Sequence, residues 1–566
     1  MKFLTVVMAA IFVGCKVITA QEEKISPDLK PTASGSTVDV IIEYGRQPTP
    51  ALHAKVTEVG GFLRRELKSI GSASYTVLAA SLQWLLLDPE ILHISPDRKV
   101  HMLLDNTTAA VNAPAAWNMG LDGTGVGVAI IDSGISEHDD LQGASGSRVI
   151  YRQSFVNGDG TDGYGHGEHV SGIVAGDGAD SNCAICTRSF SGVAPGASLI
   201  DLQALDATGE GTDSSVIAAI EEAIELQFQY NIRVINLSLG RPVYESYTAD
   251  PLCQAVEAAW KAGMVVVAAA GNEGRDNSVG NKGYGTINAP GNDPYVITVG
   301  AMKTMRTPQR ADDLIASYSS KGPTQVDHIV KPDLVAPGNL VVSLQSPNGI
   351  LPLLYPQNLV PLTYYMLTDL TLTSTSYFML SGTSMAAPVV SGAAALLLEA
   401  EPALTPDQVK AKLMLTAYKS FPLTSAVTDP TTGLTYASEY DIFTVGAGYL
   451  DIQAALADNT AFSGTALSPA ALPFPKHGKG YISCNSGTVC NTEWISGSGA
   501  ISTGSAAWSV NSIWGTQAIW SNQTIWTDQS VWSDQSIWSD SVLWGAQSIW
   551  TDESVSSSNI QITGEP

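Results

Sequence analysis

The sequence predicts an α/β protein whose largest part is a parallel sheet flanked by helices, and three observations support this prediction. Continuous apolar runs at residues 127–131 and 264–270 are typical of strands buried on both faces of such a sheet. Helical spacing at residues 214–226 and 252–262 alternates with these runs. The apolar runs also end directly before polar residues, which is where parallel sheets place their chemistry.

The length and charge of the chain limit the function classes that need to be considered. The chain has 566 residues, of which 44% are hydrophobic, so it can bury a large core and form two to four domains. Its formal net charge is −25, with only 29 Lys and Arg residues. Because nucleic acids are bound through clustered basic residues, this composition excludes them as expected partners.

The first 20 residues predict a signal peptide. Met1 and Lys2 precede an apolar stretch of about eleven residues, which is too short to span a bilayer. Two processing alternatives remain open. Cleavage after Ala20 would release a freely secreted bacterial protein, whereas the stretch ending in Cys15 is similar to a bacterial lipoprotein signal with Cys15 as the lipid anchor. In both cases the mature protein leaves the cytoplasm.

Residues 36–104 predict a small ferredoxin-like α+β module, which follows a polar leader at residues 21–35 that we expect to be flexible. Its expected elements are strands at residues 38–44, 75–78 and 91–95 and helices at residues 52–67 and 81–87. On pattern alone this module could belong to many small domains.

Four polar residues between positions 105 and 457 form a candidate catalytic set. Ser384 opens an apolar helical run, so the positive end of the helix dipole lies beside its hydroxyl. A hydroxyl is a weak nucleophile unless a base takes its proton and a third group orients that base. The candidates for these roles are His166, which glycines flank, and Asp132, which ends the run at residues 127–131. Asn272 ends another apolar run and can donate from its amide.

The order and surroundings of these residues resemble the subtilisin-like serine peptidases, the subtilase family. Asp132, His166, Asn272 and Ser384 stand in the stretches AIIDSGI, GHGEHVSGI, AAAGNEG and SGTSMAAP. The resemblance covers residues 106–457. It implies that Ser384 is the nucleophile, His166 the general base, Asp132 the group that holds the imidazole, and Asn272 an oxyanion donor.

The resemblance also implies a substrate cleft for polypeptides. An extended peptide would lie beside Ser238, Leu239 and Gly240, because main-chain pairing to a strand edge holds extended peptides. The walls of the primary specificity pocket would be Gly271, Asn288 and Ala289. These walls are small and uncharged, so we expect broad specificity for apolar or aromatic side chains.

Further expectations follow from the resemblance alone. The chemistry needs no cofactor and no metal, and a structural calcium ion is expected from the family without a ligand set that can be placed. Asp177 and Asp180 stand in a loop longer than the usual calcium loop. The module at residues 36–104 resembles the prosegment of these peptidases, which acts as an intramolecular inhibitor until it is cut away near residues 100–106.

Two departures from the family pattern raise their own hypotheses. Glu168 stands where the family usually has Thr; an inward side chain would raise the pKa of His166, but we favour an outward side chain with no effect. A zinc site of His166, Glu168 and His169 is disfavoured. An insertion at residues 343–377 is expected to form a surface loop or hairpin near the leaving-group side of the cleft, or only to decorate the surface.

The cysteine pattern is compatible with an oxidising compartment. Cys183 and Cys186 predict a tight loop disulfide rather than a redox or zinc half-site, because no second pair completes such a site. Cys484 and Cys490 have the spacing of a local hairpin bridge. Cys253 lies in a helical stretch and predicts a buried free thiol.

The region after the peptidase-like part changes in composition. Residues 458–479 predict a linker, and residues 480–566, which lack Lys and Arg, contain a hexapeptide repeat at 508–555. Its tryptophans stand at positions 508, 514, 520, 526, 532, 538, 544 and 550. A period of six returns to the same face of a strand but not of a helix, so we expect a β-rich region, folded as a solenoid or hairpins.

The function of this repeat is left open by the sequence. It could be a self-packed stalk or cap, a surface whose tryptophans contact glycan or cell-envelope material, or a segment that is disordered or removed. For the whole chain, the alternative to a peptidase is a catalytically silent surface binding or adhesion protein that uses the repeat. The intact set of Asp132, His166, Asn272 and Ser384 argues against that alternative.

Overall fold

The computed structural model describes residues 24–26, 29, 36–96, 103–104 and 106–474, the last range with gaps at 145, 279–280, 369, 430–431 and 463, and then 479–483 and 564–565. The described residues up to 96 form one compact unit, and those from 103 onward form a second. The predicted signal peptide, the Cys484 to Cys490 bridge and the tryptophan repeat lie outside the described residues.

The first unit is a four-stranded antiparallel sheet with two helices. Its elements are β1 Thr37–Tyr44, α1 Pro50–Glu58, β2 Phe62–Leu67, β3 Ser72–Leu78, α2 Leu82–Leu85 and β4 Ile91–Pro96. The strands stand in the order β2-β3-β1-β4, and the succession of elements is the β-α-β-β-α-β order of ferredoxin-like modules. Val40, Ile42, Tyr75 and Ile94 form its buried core.

Two predictions for this part of the chain are wrong in detail. The helix expected at residues 52–67 ends at Glu58, because Gly60 adopts a positive φ of 84° that turns the chain into β2. A side chain at Gly61 would meet Val56 at 2.6 Å, so both glycines serve this turn. Within the leader that we expected to be flexible, residues 24–26 are tied to β4, because the Ser26 N–H donates to the Ile94 oxygen at 2.9 Å.

The second unit begins with the elements that carry its large sheet. They are β5 Leu103–Leu104, α3 Asn106–Ala110, α4 Ala113–Asn118, β6 Gly127–Asp132, β7 Gln142–Gly143, β8 Gly146–Ser147, β9 Val149–Ser154, α5 His166–Ala175, β10 Arg188–Ser189, β11 Ser198–Gln203, α6 Asp213–Glu225, α7 Gln227–Tyr230, β12 Ile232–Leu237, α8 Pro251–Lys261, β13 Val265–Ala269, β14 Ile297–Lys303, β15 Leu314–Ile315 and β16 Leu334–Pro337.

The large sheet has eight strands in the order β15-β14-β13-β12-β6-β11-β9, with β16 also beside β14. All of its pairings are parallel except that of β15 with β14. The chain passes from β11 on one side of β6 to β12 on the other. The carboxyl end of β6 therefore lies at a topological switch point, where open α/β sheets bind their ligands.

The remaining elements of the second unit follow the large sheet in the sequence. They are β17 Val341–Leu344, α9 Leu351–Leu354, β18 Leu359–Pro361, β19 Thr373–Leu380, α10 Thr383–Ala400, α11 Pro406–Thr416, β20 Thr424–Thr428, β21 Thr435–Glu439, α12 Ile452–Ala457, β22 Ala470–Phe474 and β23 Lys479–Ser483. The insertion at residues 343–377 is mostly ordered structure: β17, β19 and β18 form a three-stranded antiparallel sheet, with α9 between β17 and β18.

Helix α10 is the central helix of this unit. By length and composition it could cross a membrane, but 83% of its 18-residue apolar window is buried inside the protein. It packs against α5 and against strands β12, β13 and β14. Its apolar composition is therefore explained by its place in the core, and this place fixes Ser384 at its first turn.

The predicted linker at residues 458–479 is wrong in its second half, because Ala466, Ser468 and Ala471 are buried against the second unit. The reason lies in two buried cations, Lys331 and Lys410, on either side of the Asp333 carboxylate. Lys410 Nζ donates to Ser468 Oγ at 2.8 Å. Buried charges need such partners, so this segment completes the core instead of leaving it.

The cysteines of the second unit take two forms. The sulfurs of Cys183 and Cys186 are bonded to each other in the loop that follows α5. Cys253 is free and buried on α8, where its thiol lies 3.3 Å from Asn292 Oδ1. Burial raises the pKa of this thiol far above its ordinary value, which makes it unreactive. The prediction for Cys253 is confirmed.

Candidate active site

Asp132 and His166 meet at the carboxyl end of the central strand β6. Asp132 is the last residue of β6 and is fully buried, and His166 is the first residue of α5. The two side chains are 2.7 Å apart between His166 Nδ1 and Asp132 Oδ1. Burial opposes the imidazolium, but the carboxylates of Asp132 and Asp162 outweigh it and raise the pKa of His166 above its ordinary value.

Asp162 is a buried carboxylate that the sequence analysis missed. Its oxygens accept hydrogen bonds from the N–H groups of Gly165 at 2.7 Å and Glu168 at 2.8 Å, so it caps the start of α5. It also accepts from Ser133 Oγ, next to Asp132. Burial is the main cause that raises the pKa of Asp162, to about 6. Asp162 thus fixes the turn that presents His166.

Ser384 lies in the first turn of α10 and lines the same cavity as His166 and Asn272, which has a volume of about 450 Å³. Its hydroxyl donates to the Ser238 carbonyl oxygen at 3.0 Å. The chain reaches this turn through Gly382, whose φ of 150° lies in a region that side chains rarely adopt. The structure thus brings all four predicted catalytic residues to one place.

The amide of Asn272 is oriented by the neighbouring serine turn. Its Oδ1 accepts from the Thr383 N–H at 2.9 Å, and the Thr383 hydroxyl bonds to the Gly271 oxygen behind it. Because the oxygen side of the amide is held in this way, the Nδ2 donors are directed away from Thr383. Asn272 and the Ser384 N–H therefore belong to two loops that are joined through Thr383.

The predicted substrate-binding residues divide into two groups. Ser238, Leu239 and Gly240 line the cavity directly, in the segment that follows β12. Gly271, Asn288 and Ala289 do not line the cavity and lie behind the segment 238–240. They contact it there: a side chain at Gly240 would meet the Ala289 oxygen and Asn288 at 3.1 Å. Sequence reasoning also missed another part of the cavity lining, residues 209–213, for which the two glycines were the available signal.

Glu273 places a carboxyl group against the residues that were expected to form an uncharged pocket. Its Oε2 accepts from the N–H of Asn272 at 2.8 Å, Ser320 Oγ at 3.0 Å and Asn288 Nδ2 at 3.2 Å. A side chain at Gly271 would lie 2.7 Å from this oxygen. Burial raises the pKa of Glu273 above its ordinary value. The expected walls are uncharged residues, but a carboxyl group that the sequence analysis missed contacts them.

The favoured outward orientation of Glu168 is wrong. The side chain is fully buried, and its Oε2 accepts from the Ser136 N–H. Burial, followed by the nearby Asp162, raises the pKa of Glu168 well above its ordinary value. The groups that raise the pKa of His166 are Asp132 and Asp162, and Glu168 is not among them, so the inward position does not have the effect that we attached to it.

The zinc hypothesis for His166, Glu168 and His169 finds no support in their positions. His169 Nε2 lies 3.1 Å from the carbonyl oxygens of Val341 and Phe378, so it is engaged away from the cavity. Burial lowers the pKa of His169 to about 3, which keeps the ring neutral. His169 is thus a core histidine that joins α5 to the sheet of the insertion.

One group of side chains at the loop that contains Asp177 and Asp180 does not fit a calcium ion. In the described part of the chain, the donor atoms of one group, His138, Asp140 and Asp180, lie within 4.8 Å of one another. His138 uses both ring nitrogens, toward the Asp140 N–H and the Ser376 oxygen. Asp140 accepts from the Asp180 N–H and the Tyr377 hydroxyl. Calcium takes six to eight oxygen ligands, and this group is already hydrogen-bonded.

Comparison with known proteins places this site in a family. The profile of the subtilase family matches residues 123–448. Serine protease AprX of Bacillus subtilis (strain 168) is 39% identical over 362 residues, which cover 62% of this chain and 74% of that protein. Subtilisin E of the same organism is 34% identical over 366 residues, covering 64% of this chain and 79% of that protein. An alkaline protease of Shouchella clausii is 34% identical over 372 residues, with coverages of 65% and 79%.

The matched range contains Asp132, His166, Asn272 and Ser384 and the whole large sheet. The match therefore argues against a catalytically silent adhesion protein built on this scaffold. The chain belongs to the subtilase family, and it is a serine endopeptidase.

Proposed function

We propose that this endopeptidase hydrolyses peptide bonds through an acyl-enzyme on Ser384, with His166 as the general base and Asp132 as the residue that orients it. One observation carries the proposal: the 2.7 Å contact of His166 Nδ1 with buried Asp132, at the cavity that Ser384 and Asn272 also line. The family membership supports the same assignment.

Proton transfer follows from the tautomer that this contact selects. His166 donates its Nδ1 proton to Asp132, so Nε2 carries the lone pair that accepts a proton. The Ser384 hydroxyl, which donates to the Ser238 oxygen in the structure, turns toward Nε2 when substrate occupies the cleft. His166 takes the hydroxyl proton during attack and gives it to the leaving amine. Water then repeats the sequence on the acyl-enzyme and regenerates Ser384.

Two hydrogen-bond donors stabilise the developing oxyanion. One is Asn272 Nδ2, and the other is the Ser384 N–H at the positive end of α10. Because Thr383 bonds to the Asn272 oxygen, the amide has no freedom to turn that oxygen toward the substrate. The donors are in place before the reaction begins, which is the condition for effective electrostatic stabilisation.

Polypeptide substrate is proposed to pair as an extended strand with residues 238–240, in the cavity that residues 209–211 also line. Leu239, Val216 and Leu252 give this part of the cavity an apolar lining. Gly271, Asn288 and Ala289 back the primary pocket, and Glu273 behind them is held by three donors. We retain the preference for apolar or aromatic side chains, because Leu239, Val216 and Leu252 are apolar and Glu273 already accepts three hydrogen bonds from the protein.

Covalent labelling tests the catalytic assignment. A serine-directed fluorophosphonate should label folded, processed wild-type protein once, on the peptide that contains Ser384, and labelling should stop when substrate is in excess. The Ser384→Ala variant and heat-unfolded wild type serve as controls and should remain unlabelled. Absence of the adduct in folded wild type would contradict the assignment.

We further propose that the enzyme is made as an exported precursor, whose unit at residues 36–96 assists folding and inhibits the cleft until it is removed. The separate core of this unit supports the proposal, because a segment with its own core can fold and dissociate as a body. Free secretion and lipid attachment at Cys15 remain alternatives, which the mass of the mature amino terminus distinguishes.

A further inference from the structure

Residues Gly564 and Glu565 occupy a buried cationic pocket of the peptidase unit. The Glu565 side chain is 1% exposed, and its Oε1 lies 2.8 Å from Arg275 Nη2. Its other oxygen lies 3.1 Å from Lys303 Nζ. The Ser317 N–H and hydroxyl also donate to Oε1. Arg275 and Lys303 are themselves 10% and 5% exposed, so the carboxylate and both cations share one desolvated site.

The backbone of the segment is recognised as well as its charge. The Glu565 N–H donates to Asn339 Oδ1 at 2.8 Å, and Asn339 Nδ2 donates to the Glu565 oxygen at 2.9 Å. Gly564 has a φ of 71°, and a Cβ there would meet Ser381 Oγ at 2.4 Å and Leu340 at 2.5 Å. The pocket therefore accepts a Gly-Glu pair: glycine for conformation and space, and glutamate for charge.

The pocket is built from the segments that hold the catalytic loops. Arg275 follows Asn272 by three residues, and Gly274 between them donates its N–H to the Tyr318 oxygen at 2.8 Å, next to Ser317. Asn339 stands between two residues that fix the serine turn. On one side the Gly338 oxygen accepts from the Gly382 N–H at 2.7 Å.

On the other side of Asn339, the Leu340 N–H donates to Ser381 Oγ at 2.8 Å. Glu565 thus contacts one partner on the Asn272 loop and another on the segment that supports Ser384. None of these contacts is used by the proposed reaction itself. They bear on how firmly the two loops are held relative to each other, which decides whether the oxyanion donors are in place.

We propose that Gly564–Glu565 is an internal ligand of the peptidase unit, and that its binding in the Arg275, Lys303 and Asn339 pocket positions the Asn272 and Ser384 loops for catalysis. The ligand class is a Gly-Glu peptide with a carboxylate side chain, supplied here by the chain itself. Glu565 is a positioning residue and does not touch the reacting atoms. Removal of the carboxylate leaves Arg275 in a buried site without one of its two anionic partners, which is costly.

The test uses the full chain with Glu565→Lys, which places a third positive charge in the pocket and expels the segment. The matched control is Glu225→Lys, the same charge change at an exposed position on α6. Melting temperature is measured in a Ser384→Ala background, so this result does not depend on the catalytic proposal. We expect a fall of about 5 °C or more for Glu565→Lys and about 1 °C or less for the control.

A fluorescent peptide with the sequence of residues 559–566 is then titrated into each protein. It should bind Glu565→Lys at least about tenfold more tightly than wild type, whose pocket is filled, and it should restore the melting temperature. In the active background, Glu565→Lys should lower kcat at least about threefold with KM within about twofold, and the peptide should restore kcat. Gly564→Ala serves for the same titration if Glu565→Lys does not accumulate as folded protein.

Two results would overturn the proposal. One is a Glu565→Lys protein with the melting temperature and kcat of the control. The other is a destabilised variant that neither binds the peptide nor recovers with it. If the peptide restores the melting temperature but not kcat, the pocket is a binding site, and the proposed effect on the catalytic loops is wrong.

Discussion

His166 lies near two carboxylates that differ in what they can do. Asp132 bonds directly to its ring, whereas Asp162 acts through space and through the turn that it caps. Both favour the imidazolium, and together they raise the pKa of His166. Because the base must be neutral to accept the Ser384 proton, activity should rise with pH through this raised pKa, above the ordinary value of about 6.5.

Asp162→Asn should move the acid limb of the kcat/KM profile to lower pH. Removal of the Asp162 charge removes one cause that raises the pKa of His166, so the neutral base is present at lower pH. The control is Asp159→Asn, an exposed carboxylate in the same loop. The pH profile of kcat/KM is the measurement, and coincident acid limbs for the two variants would show that Asp162 acts only as a helix cap.

Asn272→Ala should lower kcat by about 10²- to 10³-fold with little change in KM, because the lost hydrogen bond forms with the oxyanion and not with bound substrate. This magnitude is the one known for the equivalent loss in subtilisin, a relative of this chain, and is carried over from it. Steady-state kinetics on a short peptide provide the measurement. The contrast is Asn288→Ala, for which we expect a change in substrate preference; equal losses of kcat in both variants would contradict the distinction.

At the residue scale, the sequence was enough to locate the motif residues, but it was not enough to predict which way individual side chains point. Asp132, His166, Asn272 and Ser384 could be found because strand ends and helix starts bring motif residues to one edge of the sheet. Glu168 could not be oriented, since its direction depends on space beside Ser136 that a distant part of the fold provides. Glu273 was missed for the same reason: its partners Ser320 and Asn288 are far from it in the sequence.

Among the elements, the insertion between β17 and α10 reaches the cleft through α9. Leu351 begins this helix, is 2% exposed and lines the cavity together with Tyr164 and His166. The N–H of Leu351 donates to the Tyr164 oxygen at 3.0 Å, so α9 is fixed to the loop before α5. This arrangement gives the insertion a direct part in shaping one end of the cleft.

Leu351→Ala should reduce kcat/KM more for substrates that extend beyond the scissile bond than for short ester or anilide substrates. The lost side chain borders the cavity near His166, on the side that the leaving group is expected to occupy, and its removal also costs about 2–5 kcal/mol of stability. Leu353→Ala, on the same helix but 80% exposed, is the control. Equal effects on both substrate classes would place the insertion outside substrate binding.

The sequence predicts some element boundaries well and others poorly, because the residues that fix them differ in how clearly they can be recognised. Fully apolar runs gave strands β6 and β13, because no other short element is apolar on every face. The helix expected at residues 52–67 failed because the charged residues of β2 also fit helical spacing, and only the conformation of Gly60 separates the two. The prediction of a linker was wrong because it did not include the buried partners that Lys331 and Lys410 need. These partners can be recognised only in the folded structure, where Asp333 and Ser468 lie beside the two lysines.

At the scale of the whole molecule, processing of the precursor can be followed by mass. Wild type should lose the segment that ends near residues 100–106, whereas Ser384→Ala should keep it, because the proposed cut is made by the enzyme itself. Intact mass of both proteins, expressed without residues 1–20, is the measurement. Loss of the segment from both would assign the cut to another protease, and retention in both would contradict self-processing. Contact of the tryptophan repeat with glycan or cell-envelope material stays a prediction.

The pairing of β22 with β23 and the pocket that holds Glu565 together have a topological consequence. Ser483 and the Gly564–Glu565 pair are therefore both attached to the peptidase unit, the first through the main chain and the second through its contacts. A single peptide-bond cut between these two attachments would leave both products held to the peptidase unit, and two cuts would be needed to release a fragment. For an endopeptidase surrounded by copies of itself, the repeat region would therefore survive a first round of self-digestion still attached to its enzyme.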